Sequence, residues 1–133
     1  MSKEIKFRAW DKKHKQYVKV LKIYFGSNGH ILGAQVEDYD TNFAFELQAI
    51  EFVLEHYTGL KDKNGKEIYE GSIVIVMGYG TYEVFWREWD SSFSLKPIET
   101  VKEENRILML CGDWEGDYEV IGNIHENGSK DET

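Results

Sequence analysis

The sequence predicts an all-β protein with little helix, and three observations lead to that class. Apolar and polar residues alternate with period two over short runs, as where Ile5, Phe7 and Ala9 alternate with Lys6, Arg8 and Trp10. Turn-forming groups such as Asn64-Gly65, Glu70-Gly71 and Gly78-Tyr79-Gly80 divide those runs, at roughly the spacing of eight to twelve residues that argues for a small barrel. Aromatic residues make up 14% of the chain against a single Pro, which favours ordered β structure over disorder. The expected arrangement is an N-terminal β sub-domain over 1–56, a hairpin and connection over 57–71, a small β-barrel over 72–126 and a flexible tail over 127–133. No Pro-, Gly- or Ser-rich spacer separates the two sub-domains, so they are expected to pack on each other.

The elements follow in order. Residues 5–10 form a half-buried strand and 11–16 a polar turn. Residues 17–25 read as a second strand whose apolar phase slips at Val20-Leu21, which predicts a bulge. Ser27-Asn28-Gly29 turns the chain, and 30–36 return as the other arm of a long hairpin. After a polar loop over 37–42, Phe43, Phe45 and Leu47 alternate with Ala44, Glu46 and Gln48. Segment 47–56 admits a helical stripe through Leu47, Ile50, Leu54 and Tyr57, or a strand through Ile50, Phe52 and Leu54. Dense β-branched and aromatic residues, with no clear cap, favour the strand.

Asn64-Gly65 readily supplies two positive φ angles and predicts a two-residue type I′ hairpin; Glu70-Gly71 predicts a second turn. Residues 72–77 are almost wholly apolar, as in a strand buried on both faces. Residues 81–89 form a strand with Tyr82, Val84 and Trp86 on one face, Asp90-Ser91-Ser92 a turn, and 93–98 a further strand. Residues 102–105 are charged and 107–110 apolar, and the pattern leaves strand or helix open over 100–111. Residues 112–116 read as a loop and 118–124 as the last strand.

Composition bounds the rest. A chain of 133 residues and 15.6 kDa is long enough to bury a stable core. The net charge of -8 hides a polarity: residues 1–30 hold eight Lys or Arg against two acids, and 31–56 hold six acids and no Lys or Arg. Neighbouring strands with opposite charges on their solvent faces account for this, at about 0.2 to 1 kcal/mol per cross-strand pair. The lone Cys111 and the absence of an opening signal peptide point to reducing cytoplasm. No run approaches the roughly 18 apolar residues of a membrane span.

Three blocks carry a likeness to a known family: Lys6-Phe7-Arg8-Ala9-Trp10-Asp11, then residues 57–71 (Tyr-Thr-Gly-Leu-Lys-Asp-Lys-Asn-Gly-Lys-Glu-Ile-Tyr-Glu-Gly), then Glu119-Val120-Ile121-Gly122-Asn123-Ile124. In order and separation the chain resembles the YopX family, small phage and prophage proteins named after one from a Bacillus prophage. The resemblance implies an all-β fold whose second part is like an SH3 barrel, with a biochemical role that has not been established. It supplies no catalytic residue. Ser72 stands where the family usually has Asp, His125 where it has an aromatic, and Gly128 where it often has Pro.

No arrangement of chemistry-bearing residues rises above background. His14, His30, His56 and His125 lack metal-ligand spacing. Asp113, Glu115 and Asp117 resemble the start of a calcium loop, but Tyr118 stands where the loop needs Gly and Ile124 where it needs Glu. Cys111, beside an apolar run and an acidic loop, reads as inert. No catalytic residue, metal or cofactor is therefore expected. Tyr79, Tyr82, Trp86 and Trp89 form the most suggestive binding surface, although Tyr82 and Trp86 also suit a small core. Lys61, Lys63 and Lys66 form a basic hairpin tip. The expected function is a non-enzymatic phage or prophage accessory protein in the host cytoplasm that binds a protein partner. Nucleic-acid binding through the barrel and acidic DNA mimicry are the alternatives, and exposed edge strands make a homo-oligomer credible.

Overall fold

The computed structural model describes residues 5–100, 107–110 and 112–127. The charged segment 102–105, Cys111 and residues 128–133 lie outside the described residues. Strand dominates, as the period-two pattern requires, and the chain divides into two compact units, 5–56 and 57–127.

The unit 5–56 is an antiparallel sheet of β1 (Phe7–Asp11), β2 (Gln16–Phe25), β3 (Ile31–Glu37), β4 (Ala44–Gln48) and the first part of β5 (Phe52–Lys61), in the order β4-β3-β2-β1-β5. The register of β2 on β3 shifts between Val20 and Lys22, so the bulge lies where the apolar phase slips. Ala9, Val18, Ala34, Val36, Leu47 and Phe52 form its core. The ambiguous segment is strand, interrupted by a 3-10 turn over Ala49–Glu51. Glu51 Oε1 accepts the Gln48 N–H at 2.7 Å, a reciprocal capping pattern with Gln in place of Ser or Thr.

In the unit 57–127, the second part of β5 pairs β6 (Glu67–Tyr69). β7 (Ser72–Val76), β8 (Gly80–Arg87), β9 (Ser92–Thr100), β10 (Leu108–Met109) and β11 (Tyr118–Asn123) make a second antiparallel sheet in the order β10-β9-β8-β7-β11. A 3-10 turn, Gly112–Asp117, precedes β11, and the one-turn helix α1, Ile124–Asn127, follows it. Ile68, Val74, Val76, Tyr82, Val84, Leu95 and Tyr118 form the core.

Three expectations are corrected. The second sheet does not close into a barrel: β10 and β11 are its two ends, and β10, two residues long, is too short to carry a closing ladder. The 62–66 loop is not a two-residue type I′ turn. Gly65 has φ 81 but Asn64 is not in the left-handed region, and Gly65 N–H donates to Asp62 O at 3.0 Å while Asp62 N–H donates to Lys66 O at 2.8 Å. That is a type I turn with a glycine bulge, selected by the Asp62 side chain. β7 is buried on both faces only in part, since Ile75 is 39% exposed.

Candidate functional site

The family-like blocks turn out to be structural joints. In β1, Arg8 Nε donates to Glu55 Oε1 at 2.7 Å, its guanidinium lies 4.1 Å above the Tyr17 ring, and Tyr17 Oη donates to the same Glu55 oxygen at 2.9 Å. Glu55 is buried, and these donors satisfy its side-chain oxygen there. In the second block, buried Asp62 accepts the N–H groups of Asn64 and Lys66 on Oδ1 and of Val120 on Oδ2, all at 2.9 Å. Burial pushes the Asp62 carboxyl up, but the Val120, Lys66 and Asn64 N–H groups and the Lys66 charge outweigh it, holding it below the ordinary range. Lys63 N–H donates to Tyr118 O, and Ile124 N–H to Gly71 O, so the third block is stitched to the second. Ser72, where the family usually has Asp, accepts the Tyr69 N–H at 3.0 Å and spans the tight turn.

The surface expected to bind is split by the fold. Tyr82 is fully buried and leaves the set: at the middle of β8, between β7 and β9, it becomes core. Tyr79, 38% exposed, lies in the turn before β8, whereas Trp86 is near the far end of that strand, roughly 23 Å away at strand rise. Lys63 pairs with Glu119 at 3.3 Å beside the start of β11, and β11 begins opposite Val76, at the Tyr79 end. Lys61, Lys63 and Lys66, all exposed, therefore share an end with Tyr79. Trp86 and Trp89 occupy the other.

At that other end, Trp86 meets Phe93 edge-on, centroids 4.9 Å apart. Trp89 is 81% exposed in the β8–β9 loop, where Ser91 takes φ 52. Arg87 lies 5.0 Å above the Trp89 ring and forks onto Asp90, Nε to Oδ1 at 3.0 Å and an Nη nitrogen to Oδ2 at 2.6 Å. That pairing raises the Arg87 pKa and lowers that of Asp90. The result is a loop pinned by the Arg87–Asp90 pair that holds an indole in solvent.

A second feature, missed by the sequence reading, belongs to the unit 5–56. An antiparallel meander brings the end of β1, the start of β2, the end of β3 and the start of β4 to one side. There His14, Gln16, Asp38, Thr41, Phe43 and Phe45 line an open cavity of about 340 Å³. Fully buried Asp11 holds His14 Nδ1 at 2.7 Å and accepts the Lys13 and His14 N–H groups. Asp38 Oδ1 accepts the Asp40 and Thr41 N–H groups at 2.8 and 3.0 Å, and Gln16 Nε2 donates to Oδ2 at 3.1 Å. The Thr41 and Asp40 N–H groups hold the Asp38 carboxyl below its ordinary range. Phe43 and Phe45 stack, centroids 6.1 Å apart and 23° between planes, with Phe43 66% exposed. The Asp11-Lys12-Lys13-His14 turn spacing was the available signal. No group of three or more potential ligands is placed to hold a metal among the described residues, and none of their helices is long and apolar enough to cross a membrane.

Two open antiparallel sheets, joints made of buried carboxylates and exposed aromatic loops define a small all-β protein whose family-like blocks serve the fold. The chain belongs to the YopX family: the family model described as YopX protein matches residues 6–130. No curated protein matches it. Among solved structures it is similar to the crystal structure of protein EF1440 from Enterococcus faecalis, with 25% identity, a TM-score of 0.66, and coverage of 97% of this chain and 99% of that one.

Proposed function

We propose that this chain is a phage or prophage accessory protein that works in the host cytoplasm by binding a protein partner, without catalysing a reaction. The observation that carries the reading is the Trp86–Trp89 end of the unit 57–127. An indole 81% exposed on a loop stiffened by the Arg87–Asp90 fork is the kind of preorganised aromatic anchor that dominates protein interfaces. A nucleic-acid surface combines stacking aromatics with unpaired cations along one groove. Here the lysines lie at the opposite end from the tryptophans, Lys63 is paired with Glu119 and Arg87 with Asp90, and the net charge is -8. Binding therefore runs through the aromatic end of an open sheet, not the mouth of a barrel.

The test is affinity capture from host lysate with wild-type protein and a Trp86→Ala, Trp89→Ala double variant, with and without nuclease. A stoichiometric protein retained by wild type, lost with the double variant and indifferent to nuclease is the expected result. Capture that nuclease abolishes, or that the variant leaves unchanged, overturns it.

A further inference from the structure

We propose that the cavity of the unit 5–56 is a binding site for a guanidinium group, the arginine side chain of a partner polypeptide. The inference does not depend on the tryptophan surface.

The inference rests on which hydrogen-bonding roles remain unspent. Asp11 holds His14 Nδ1, which leaves Nε2 as the ring nitrogen that Asp11 does not engage. One of the two Gln16 amide N–H groups donates to Asp38, and its carbonyl oxygen is an acceptor. Asp38 is an ionised carboxylate that accepts two loop N–H groups on Oδ1 and Gln16 on Oδ2, with the Thr41 hydroxyl also bonded to it, and its negative charge attracts a cation. Thr41 Oγ1 accepts the Phe43 N–H at 3.3 Å. Among these polar groups the Gln16 carbonyl and the Asp38 carboxylate are acceptors, and Asp38 is negatively charged.

The Phe43–Phe45 pair also lines the cavity, with Phe45 edge-on to His14 at 6.4 Å and Phe43 left 66% exposed. A ring so exposed beside a cavity gains most from a planar, weakly hydrated cation. Guanidinium stacks on aromatic faces, carries five N–H donors and matches a carboxylate with two parallel bonds. Lysine's ammonium would match the charge but not the plane. The surrounding stretch 31–56 has six acids and no Lys or Arg. Lys12, Lys13 and Lys15 on the adjacent turn are exposed and do not line the cavity. At about 340 Å³ the space admits an arginine side chain together with part of its flanking backbone, at the small end of the roughly 300–1,000 Å³ range of ligand pockets.

The experiment is a 1H–15N titration of the whole protein with the peptide acetyl-Gly-Arg-Gly-amide. Expected are saturable shifts centred on the amides of Gln16, Thr41 and Phe43, and at least about tenfold weaker binding when citrulline, neutral and of the same shape, replaces arginine. Asp38→Asn, which can still cap its loop, weakens the arginine peptide by about tenfold or more. Phe43→Ala, a change at an exposed position, weakens it by about threefold. Equal binding of the citrulline peptide, no effect of Asp38→Asn, or shifts scattered away from the cavity overturn the assignment. Tighter binding of free arginine than of the peptide rejects the polypeptide source, and saturable binding of guanosine with none of the arginine peptide makes the cavity a base reader instead.

Discussion

Replacing Asp62 tests the central claim that the family-like blocks are joints of the fold. Its carboxylate accepts three backbone N–H groups at 2.9 Å, two in its own loop and one from Val120 on β11. Asp62→Asn keeps the volume and one carbonyl oxygen, but places an NH2 where the second oxygen stood, so either the loop or Val120 meets a donor. An unsatisfied N–H costs about 1–3 kcal/mol. Asp62 is 5% exposed but borders a solvated loop, which favours the lower half of that range. Losing the charge weakens the remaining bonds as well, for a total of about 2 kcal/mol, and Asp62→Ala costs about 3 kcal/mol. Urea unfolding at pH 7 measures both.

The pH dependence separates this from a generic packing defect. The folded Asp62 pKa lies below its ordinary 3.8, so its contribution is fully present above that value and is lost as pH falls through the folded pKa. The wild-type advantage over Asp62→Asn therefore narrows below about pH 4. A deficit under about 0.5 kcal/mol at pH 7, the level of an ordinary surface change, or a gap equally wide at about pH 3, would refute the reasoning.

Three further outcomes follow from the same contacts. Arg8→Ala leaves buried Glu55 with the Tyr17 hydroxyl but without the guanidinium, so stability by denaturant titration falls by about 3 kcal/mol, the low end for a broken buried pair. Gly33→Ala places a Cβ 2.6 Å from the Leu47 carbonyl oxygen. The backbone of β3 or β4 has to shift, and thermal unfolding should show a loss of about 1–3 kcal/mol. Trp89→Ala, at an 81% exposed ring, changes stability by less than about 0.5 kcal/mol while removing partner capture.

The sequence by itself determined whatever depends on neighbours along the chain. Period-two alternation specified the strands, because successive side chains on extended backbone point to opposite faces. The phase slip at Val20-Leu21 marked the bulge, since an added residue inverts every face beyond it. Membership of the YopX family was legible in three blocks of residues. Even locally the reading had a limit: Asn64-Gly65 signalled a hairpin, but the turn type depended on Asp62 capturing the loop N–H groups.

Tertiary structure decided what depends on residues meeting from different strands. Tyr79, Tyr82, Trp86 and Trp89 are close in sequence, yet a strand moves successive residues apart along its length, and the fold put one in the core and the others at opposite ends of β8. His14 looked solitary until the meander set it beside Asp38 and Phe45, residues 24 and 31 positions away. Whether the second sheet closed was equally beyond the pattern, because closure depends on strand tilt and on the length of the last partners, not on alternation.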